Sequence, residues 1–345
     1  MAPLLSIVIP GYNRPGPLKA TLCSVADAAA PLPPGGVEVL LVDDGSAPPL
    51  DVQLAGFDPG ITFTILRQAN AGSIAARQHG LARATGDYVQ FLDSDDLVHP
   101  EKFVRQLAAQ RSADADVSYV DASEAAPGAD HRATEFRPVQ IFRPASDPAD
   151  FFFRVQPPPH SPLYRRGYLL RALTAPRVPA RRAMDPAGDV WLYYNLAALP
   201  ARIVKVDGPF AATGLHAEER FSRHWENLAL AALLVAEAFR QATAADADEG
   251  AVAARRVAGE VAFDSWRRLP WDFSPAYQAR LLDVWRRSPR DPRAVLGGRF
   301  FSALARLLGP VFTARLLRRL RGARYAACRT LPAGEFDRRL AAALS

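Results

Sequence analysis

Residues 86–100 read GDYVQFLDSDDLVHP, and this stretch decides the fold. The apolar run 88–92 fits a buried parallel strand, and it stops abruptly at Asp93, Ser94, Asp95 and Asp96. Three carboxylates in four residues repel one another, so gathering them at a strand end costs free energy unless a positive charge sits among them. Hard divalent cations such as Mg²⁺ or Mn²⁺ take oxygen ligands of this kind, and a metal held there could in turn hold a diphosphate. The same residues could also form a solvated acidic turn capping a helix that begins near Pro100.

Upstream, the chain repeats one theme. A β-branched strand at 6–10 (SIVIP) runs into the turn-like Gly11, Tyr12, Asn13, Arg14 and Pro15, then into a helical pattern through Leu18, Leu22, Val25 and Ala26. A second strand, 37–42 (VEVLLV), ends in Asp43, Asp44, Gly45 and Ser46. A third, 61–66, leads through Gln68, Asn70, Ala71, Gly72 and Ser73 to a helix at 74–84 that carries Arg77. Strands alternating with helices, with polar residues at the strands' carboxyl ends, predict an α/β domain on an open, mostly parallel sheet, its ligand crevice along that edge. Tyr12, Asp44, Arg77, Asp93 and Asp95 are therefore expected to converge.

Composition narrows the class. The chain has 345 residues, 49% of them hydrophobic, enough for a sizeable core. Cys23 and Cys328 are far apart, without metal-ligand spacing, so neither a disulfide framework nor a zinc site is expected. The opening MAPLLSIVIP lacks a basic region and its apolar run is short for a secretory signal, and no later segment has the length of a spanning helix. A cytoplasmic setting is the expectation. The formal net charge is +6, nearly all of the positive charge is arginine, and from Arg286 to Arg329 the only acid is Asp291.

SIVIPGYNRP, VEVLLVDDGS, NAGSIAARQHGLARATGDYVQFLDSDD and LVHPEKF, in this order and spacing, resemble the successive blocks of glycosyltransferase family 2. The resemblance covers about the first third of the chain. It implies the GT-A fold, a Rossmann-like open sheet, and inverting transfer from a nucleotide-diphosphate sugar, UDP-linked by family habit. By matching position, the loop with Pro10 and Tyr12 would wall the base, and Arg14 in that loop is counted with the donor site. Asp44 would accept a hydrogen bond from the base edge. Asp93 would meet the ribose and the metal shell, and Asp95 would bind Mn²⁺ or Mg²⁺ directly. Arg77 would lie near the diphosphate, or would instead pair with the acids and hold the loop. Relatives commonly carry Asn at the position of Gln78, a mild departure away from the metal site.

Farther on, 117–121 (VSYVD) reads as a strand, and 122–159 is irregular, proline-rich and studded with Phe136, Phe142 and a run of three phenylalanines at 151–153. Those rings suit either packing on the sheet or stacking against acceptor sugars. Segment 160–173 offers Arg165 and Arg166, at most one of which should face the site. In 184–199 the family's Glu-Asp pair reads Gly188-Asp189, and inversion needs one carboxylate to take the acceptor's proton. Asp189 is the expected general base, with Asp185 a candidate stand-in for the missing Glu; an Asp at a helix start also commonly caps it. His216, ending the block 208–216, is a candidate further metal ligand. The missing Glu also keeps open a catalytically degenerate relative acting as a binding or scaffold subunit.

The chain therefore divides, as an expectation, into a nucleotide-sugar half at 1–110, an acceptor half at 111–216 and a helical extension at 217–345. Within the last, Phe312, Leu316, Leu317 and Leu320 lie on one side of a helical wheel and Arg315, Arg318, Arg319 and Arg321 on the other. Segment 297–325 thus suits peripheral contact with the inner face of the plasma membrane, or an apolar face docked on the protein with arginines in water. Nucleic acid is excluded as a partner, because the arginines lack interleaved stacking aromatics and the acidic cleft would repel phosphate backbones. A nucleotidyltransferase would need a glycine-rich basic loop that 11–16 supplies poorly.

Overall fold

The structure, a computed structural model, describes residues 3–126, 130–215, 224–291, 294 and 296–344. Among these, eight strands form one sheet: β1 (Leu5–Gly11), β2 (Val37–Asp43), β3 (Phe63–Arg67), β4 (Tyr88–Phe91), β5 (Leu97–Val98), β6 (Val117–Ala125), β7 (Leu163–Arg165) and β8 (Ile203–Gly214). Their order is β3-β2-β1-β4-β7-β6-β8-β5. The first four strands are parallel, as expected. The second half is mixed: β7 runs antiparallel to β4 and β6, β5 antiparallel to β8, and β6 parallel to β8.

This order creates a switch point. From β1 the chain steps outward to β2 and β3, then returns to β4 on the other side of β1. The two connections leave the sheet in opposite directions, and a crevice opens beyond the carboxyl ends of β1 and β4. Gly11 pairs with Asp43 across the β1 and β2 ends, and β4 stops at Phe91, two residues before Asp93.

Both faces of the sheet are covered, which is why its strands read as continuous apolar runs. Leu5, Ile7 and Ile9 of β1 face α1 (Pro15–Ala29). Val8 faces the opposite core with Leu40 and Val42 of β2. A short α2 (Leu50–Gln53) follows β2, and α3 (Ser73–Arg83) lies on the Val8 side. A β-carbon at Gly80 would collide with Val8 and press on Val42. The bare glycine lets α3 sit close to the strands and brings Arg77, one turn earlier, over their ends.

Next come α4 (Lys102–Ser112), α5 (Pro148–Asp150), α6 (Arg166–Leu173) and α7 (Gly188–Leu196). Phe151, Phe152 and Phe153 form a π-helical turn and are all buried, against Tyr119, Tyr168, Tyr193, Tyr194 and Phe239. They are core residues, so the sugar-stacking option falls for this run. The helical extension comprises α8 (Trp225–Ala242), α9 (Glu249–Arg268), α10 (Pro275–Arg287), α11 (Arg299–Leu308), α12 (Pro310–Arg321), α13 (Tyr325–Cys328) and α14 (Glu335–Leu344). One apolar cluster runs from Val8 through Trp191 and Phe239 to Trp266 and Leu340, so these helices share a core with the sheet.

Candidate active site

A cleft of about 650 Å³ opens at the switch point, lined by Pro10, Tyr12, Arg14, Asp44, Arg77, Asp93, Asp95 and Asp189 among others. These are the donor-site and base residues expected from sequence, drawn from five separate stretches. His216 lies outside the described residues. A second groove of about 690 Å³ sits between the loop around Asp147 and Lys205 of β8. Its charges are matched internally, Asp150 with Arg143 and Arg154 and Lys205 with Asp121 and Asp207, so the chemistry belongs to the switch-point cleft.

Arg77 is the centre of the cleft floor. Its side chain is buried; Nη2 donates to Asp93 Oδ1 at 2.6 Å and Nη1 to Asp189 Oδ1 at 2.9 Å. Burial alone would lower the guanidinium's pKa, but Asp93 and Asp189 outweigh it and raise it. Of the two roles open to Arg77, the structure has the acid-pairing one, and it ties residue 93 to residue 189. The two carboxylates are accessible from the cleft, with side chains 39% and 41% exposed respectively.

Asp189 stands in the first turn of α7 and makes no capping bond there. Limited hydration in the cleft pushes its carboxyl above the ordinary value, Arg77 pulls the other way, and Asp93 adds to the rise. A carboxylate with a raised pKa and one oxygen unclaimed by Arg77 is suited to accept a proton.

The three acids after β4 do different jobs. Asp95 Oδ2 lies 3.5 Å from Arg14 Nη1, a contact that ties the β1 loop to the β4 loop. Asp96 turns inward: its Oδ2 is 2.6 Å from His160 Nδ1 and its Oδ1 accepts from Gly214 N at 3.1 Å. Burial pushes the Asp96 carboxyl up despite attraction by His160. The repulsion expected among three adjacent carboxylates is thus relieved by separation and by three different cationic or polar neighbours.

The acids after β2 organise loops. Asp43 is fully buried and accepts from Ser46 N, Leu50 N and Arg67 Nη1 at 2.8–3.1 Å. Burial would raise its pKa, but Ser46, Leu50 and Arg67 together hold it below the ordinary value. Asp44 accepts from Gln68 Nε2, Ala71 N and Gly72 N at 2.8–2.9 Å. It lines the cleft as expected, with most of its accepting capacity spent on the loop before α3.

That loop brings in residues the sequence reading underweighted. The residue before α3 is Gly72, whose φ of +100° and missing side chain leave the helix without its own cap. Asp185, from 111 residues later, supplies one: Oδ1 accepts from Ile74 N at 3.1 Å, and Oδ2 from Arg182 Nη1 at 3.1 Å. Arg182 in turn donates to Asn70 Oδ1 at 2.7 Å. Asp185 therefore does not stand in for the absent Glu; it is a cap acting across the cleft. A side chain at 188 would start 3.2 Å from Ser73 Oγ and 3.3 Å from Arg77 Nη1, so Gly188 removes a neighbour of Arg77. No local motif announces a cap supplied from so far away.

Arg165 and Arg166 are corrected by topology. Because β7 runs antiparallel to β4, Arg165 pairs with Tyr88, at the end of β4 opposite Asp93. Arg165 binds Asp114 at 2.7 Å, and Arg166 Nε donates to Gly86 O at 2.9 Å. Neither lines the cleft.

Known proteins bear on this geometry directly. Residues 6–169 match the family model described as glycosyl transferase family 2. The chain carries a glycosyltransferase family 2 domain. Its span takes in β1 to β7 and most of the cleft, but not Asp189. Curated relatives include the succinoglycan biosynthesis protein ExoW of Rhizobium meliloti strain 1021, 36% identical over 117 residues. Another is the uncharacterized glycosyltransferase YibD of Escherichia coli strain K12, 31% identical over 120 residues. These matches cover 32% and 34% of this chain and 35% and 33% of the two relatives, about a third of each. Among solved structures, S. aureus TarS superposes with a TM-score of 0.60 at 17% identity, over 91% of this chain and 55% of that one. TarS 1–349 in complex with UDP-GlcNAc gives 0.54 at 18% identity, over 82% of this chain and 89% of that one. The family 2 domain thus has the GT-A fold, continued by helices.

Proposed function

We propose that the protein is an inverting glycosyltransferase that moves a sugar from a nucleotide diphosphate, UDP by first choice, to a hydroxyl of a glycan, glycolipid or small-molecule acceptor. One observation carries the reading: Arg77 joins Asp93, at the donor-side strand end, to Asp189, leaving both carboxylates accessible in one cleft. ExoW's role in succinoglycan biosynthesis favours a polysaccharide product, and the UDP-GlcNAc complex of TarS makes UDP the nucleotide to try first.

In this mechanism Asp189 removes the acceptor hydroxyl's proton as its oxygen attacks the anomeric carbon from the face opposite the diphosphate. The new glycosidic C–O bond forms while the bond to the diphosphate breaks, and the proton ends on Asp189. Arg77 holds Asp189 in orientation through its Nη1 bond. Tyr12, 49% exposed at the cleft rim, and Pro10 would bound the base.

The donor set suits a divalent cation. Asp93 and Asp95 offer hard oxygens into the cleft, and Mg²⁺ commonly binds through one or two carboxylates completed by substrate phosphates. Bound there, Mn²⁺ or Mg²⁺ would neutralise charge on the leaving diphosphate. Cytoplasmic placement, with 297–325 resting on the inner face of the plasma membrane, belongs to the same proposal. No described helix is long and apolar enough to cross a membrane.

Calorimetric titration of UDP, GDP and dTDP, with and without Mn²⁺, into the native protein and Asp95→Ala tests the reading. Metal-dependent binding of one nucleotide that vanishes in Asp95→Ala is expected. Folded protein that binds none of the three would move the reading to the scaffold subunit.

A further inference from the structure

The helical extension ends in a surface that the transfer chemistry does not use. On α12, Phe312, Arg315, Leu316, Arg319 and Leu320 are exposed, while Thr313, Ala314 and Arg318 are buried. The helix is therefore not docked on its apolar stripe. It is turned so that the apolar stripe and one edge of the arginine stripe both face outward. Gly309, at φ +77°, joins α12 to α11, whose Phe300, Leu307 and Leu308 are exposed as well.

What fixes this orientation is Arg318. Its Nε and Nη2 donate to the carbonyls of Leu269 and Pro270 at 2.9 and 2.6 Å, and its Nη1 to Gln278 Oε1 at 2.8 Å. The guanidinium also lies 5.1 Å from the ring centre of Trp266. All three nitrogens are satisfied by neutral acceptors, so rolling α12 to bury Phe312 and Leu320 would strip several hydrogen bonds from a buried cation. The docking option in which the arginines face water and the leucines face the protein is thereby overturned.

The outward surface has Phe300, Leu307, Leu308, Phe312, Leu316 and Leu320, each between 37% and 82% exposed. Arg299, Arg306, Arg315, Arg319 and Arg321 are exposed around them, no Asp or Glu occurs from 292 to 334, and among the described residues these arginines meet no carboxylate. Large apolar side chains beside unpaired arginines match a bilayer whose headgroups are anionic: the rings and leucines enter the acyl boundary and the guanidiniums stay with phosphates.

We infer that α11 and α12 form an interfacial pair that lies on an anionic bilayer, inserting Phe300, Leu307, Phe312, Leu316 and Leu320 between arginine-bound headgroups. This gives the proposed membrane location its physical surface; it rests on that part of the reading and is independent of the transfer chemistry.

Co-sedimentation of the full chain with vesicles tests it. Vesicles mixing phosphatidylglycerol with phosphatidylcholine should carry the protein down, and phosphatidylcholine alone should not. Phe312→Ser with Leu320→Ser should weaken binding by about tenfold per side chain. Arg315→Gln with Arg319→Gln should weaken it by about fivefold per charge, and added salt should act in the same direction. These side chains are exposed, so unchanged circular dichroism is expected. Equal binding to both vesicle types, no binding to either, or full binding by the serine variant would each overturn the inference. So would a dimer by light scattering that the serine pair dissolves, because the face would then be an interface between two copies. UDP titration on the same preparation separates the readings: nucleotide binding without vesicle binding sinks only the membrane surface, and the reverse sinks only the transferase.

Discussion

Arg77→Met is the sharpest probe of the cleft. Methionine keeps the buried stem and deletes the guanidinium that Asp93 and Asp189 share. Each lost bond is charge-assisted, worth about 1.5–3 kcal/mol in general, and breaking a buried pair strands its partners. Because both carboxylates are roughly two-fifths exposed, water regains part of their solvation and the lower end applies, about 3 kcal/mol in all. The loss must depend on pH. Asp189 has a folded pKa above its unfolded value, so its contribution favours folding at low pH and is lost as pH rises through the folded pKa. Removing Arg77 takes away the influence that pulls this pKa down, and the penalty in the variant therefore grows with pH. Urea unfolding followed by circular dichroism, with divalent ions chelated, should give a wide gap between native and variant protein at pH 8 and a narrower one at pH 5. A gap below about 0.5 kcal/mol at pH 8, or one of equal size at both pH values, would refute the claim that Arg77 holds these acids together.

Asp189→Asn should lower the rate of sugar transfer by about 10²–10⁴-fold while UDP affinity, read calorimetrically, stays within about threefold; retained turnover would remove Asp189 from the base role. In the native enzyme the acid side of the pH–rate profile should lie above the range of an ordinary Asp, because the proton must leave a carboxyl whose pKa is raised. Gly72→Ala should lower stability by about 1–3 kcal/mol in thermal unfolding, since alanine resists a φ of +100° and its methyl would overlap Asp185 Oδ2 and Arg182 Nη1. Asp185→Ala should cost about 1 kcal/mol through the uncapped start of α3, with Asn expected to restore part of it and Leu none.

Much of this site could be read from the chain because its parts lie where strand periodicity ends. Pro10, Asp44, Asp93 and Asp95 each follow an apolar run, and parallel strands in register bring those ends to one edge. Arg77 lies on the helix read at 74–84, and pairing with the acids is one of its two expected roles. The bond to Asp189 depends on how α7 crosses the strand ends, which no local pattern encodes. Of Arg165 and Arg166, at most one is expected to face the site. The antiparallel turn of β7 sends them to the other end of β4 instead.

The same limit governs α12. The wheel separated its leucines from its arginines correctly, yet a wheel has no knowledge of which side meets the protein. By hydrophobicity alone Phe312 and Leu320 should be inside and Arg318 outside. Arg318 is inside because the carbonyls of Leu269 and Pro270, just past the end of α9, accept from it, the latter shared with Phe273 N, and a guanidinium can reach both while lying over Trp266. The cost of dehydrating one arginine is offset by those three hydrogen bonds, and the consequence is an apolar stripe turned toward solvent. A helix end thus selects the orientation of a second helix 49 residues away, and that orientation decides whether the chain has a membrane-facing surface. Arg318→Leu separates this account from simple amphipathicity. If Arg318 sets the roll of α12, the leucine variant should bury its apolar stripe and lose vesicle binding although every arginine and leucine on the outer face is retained. Vesicle binding equal to that of the native chain would show that α12 is held outward by something other than this anchor.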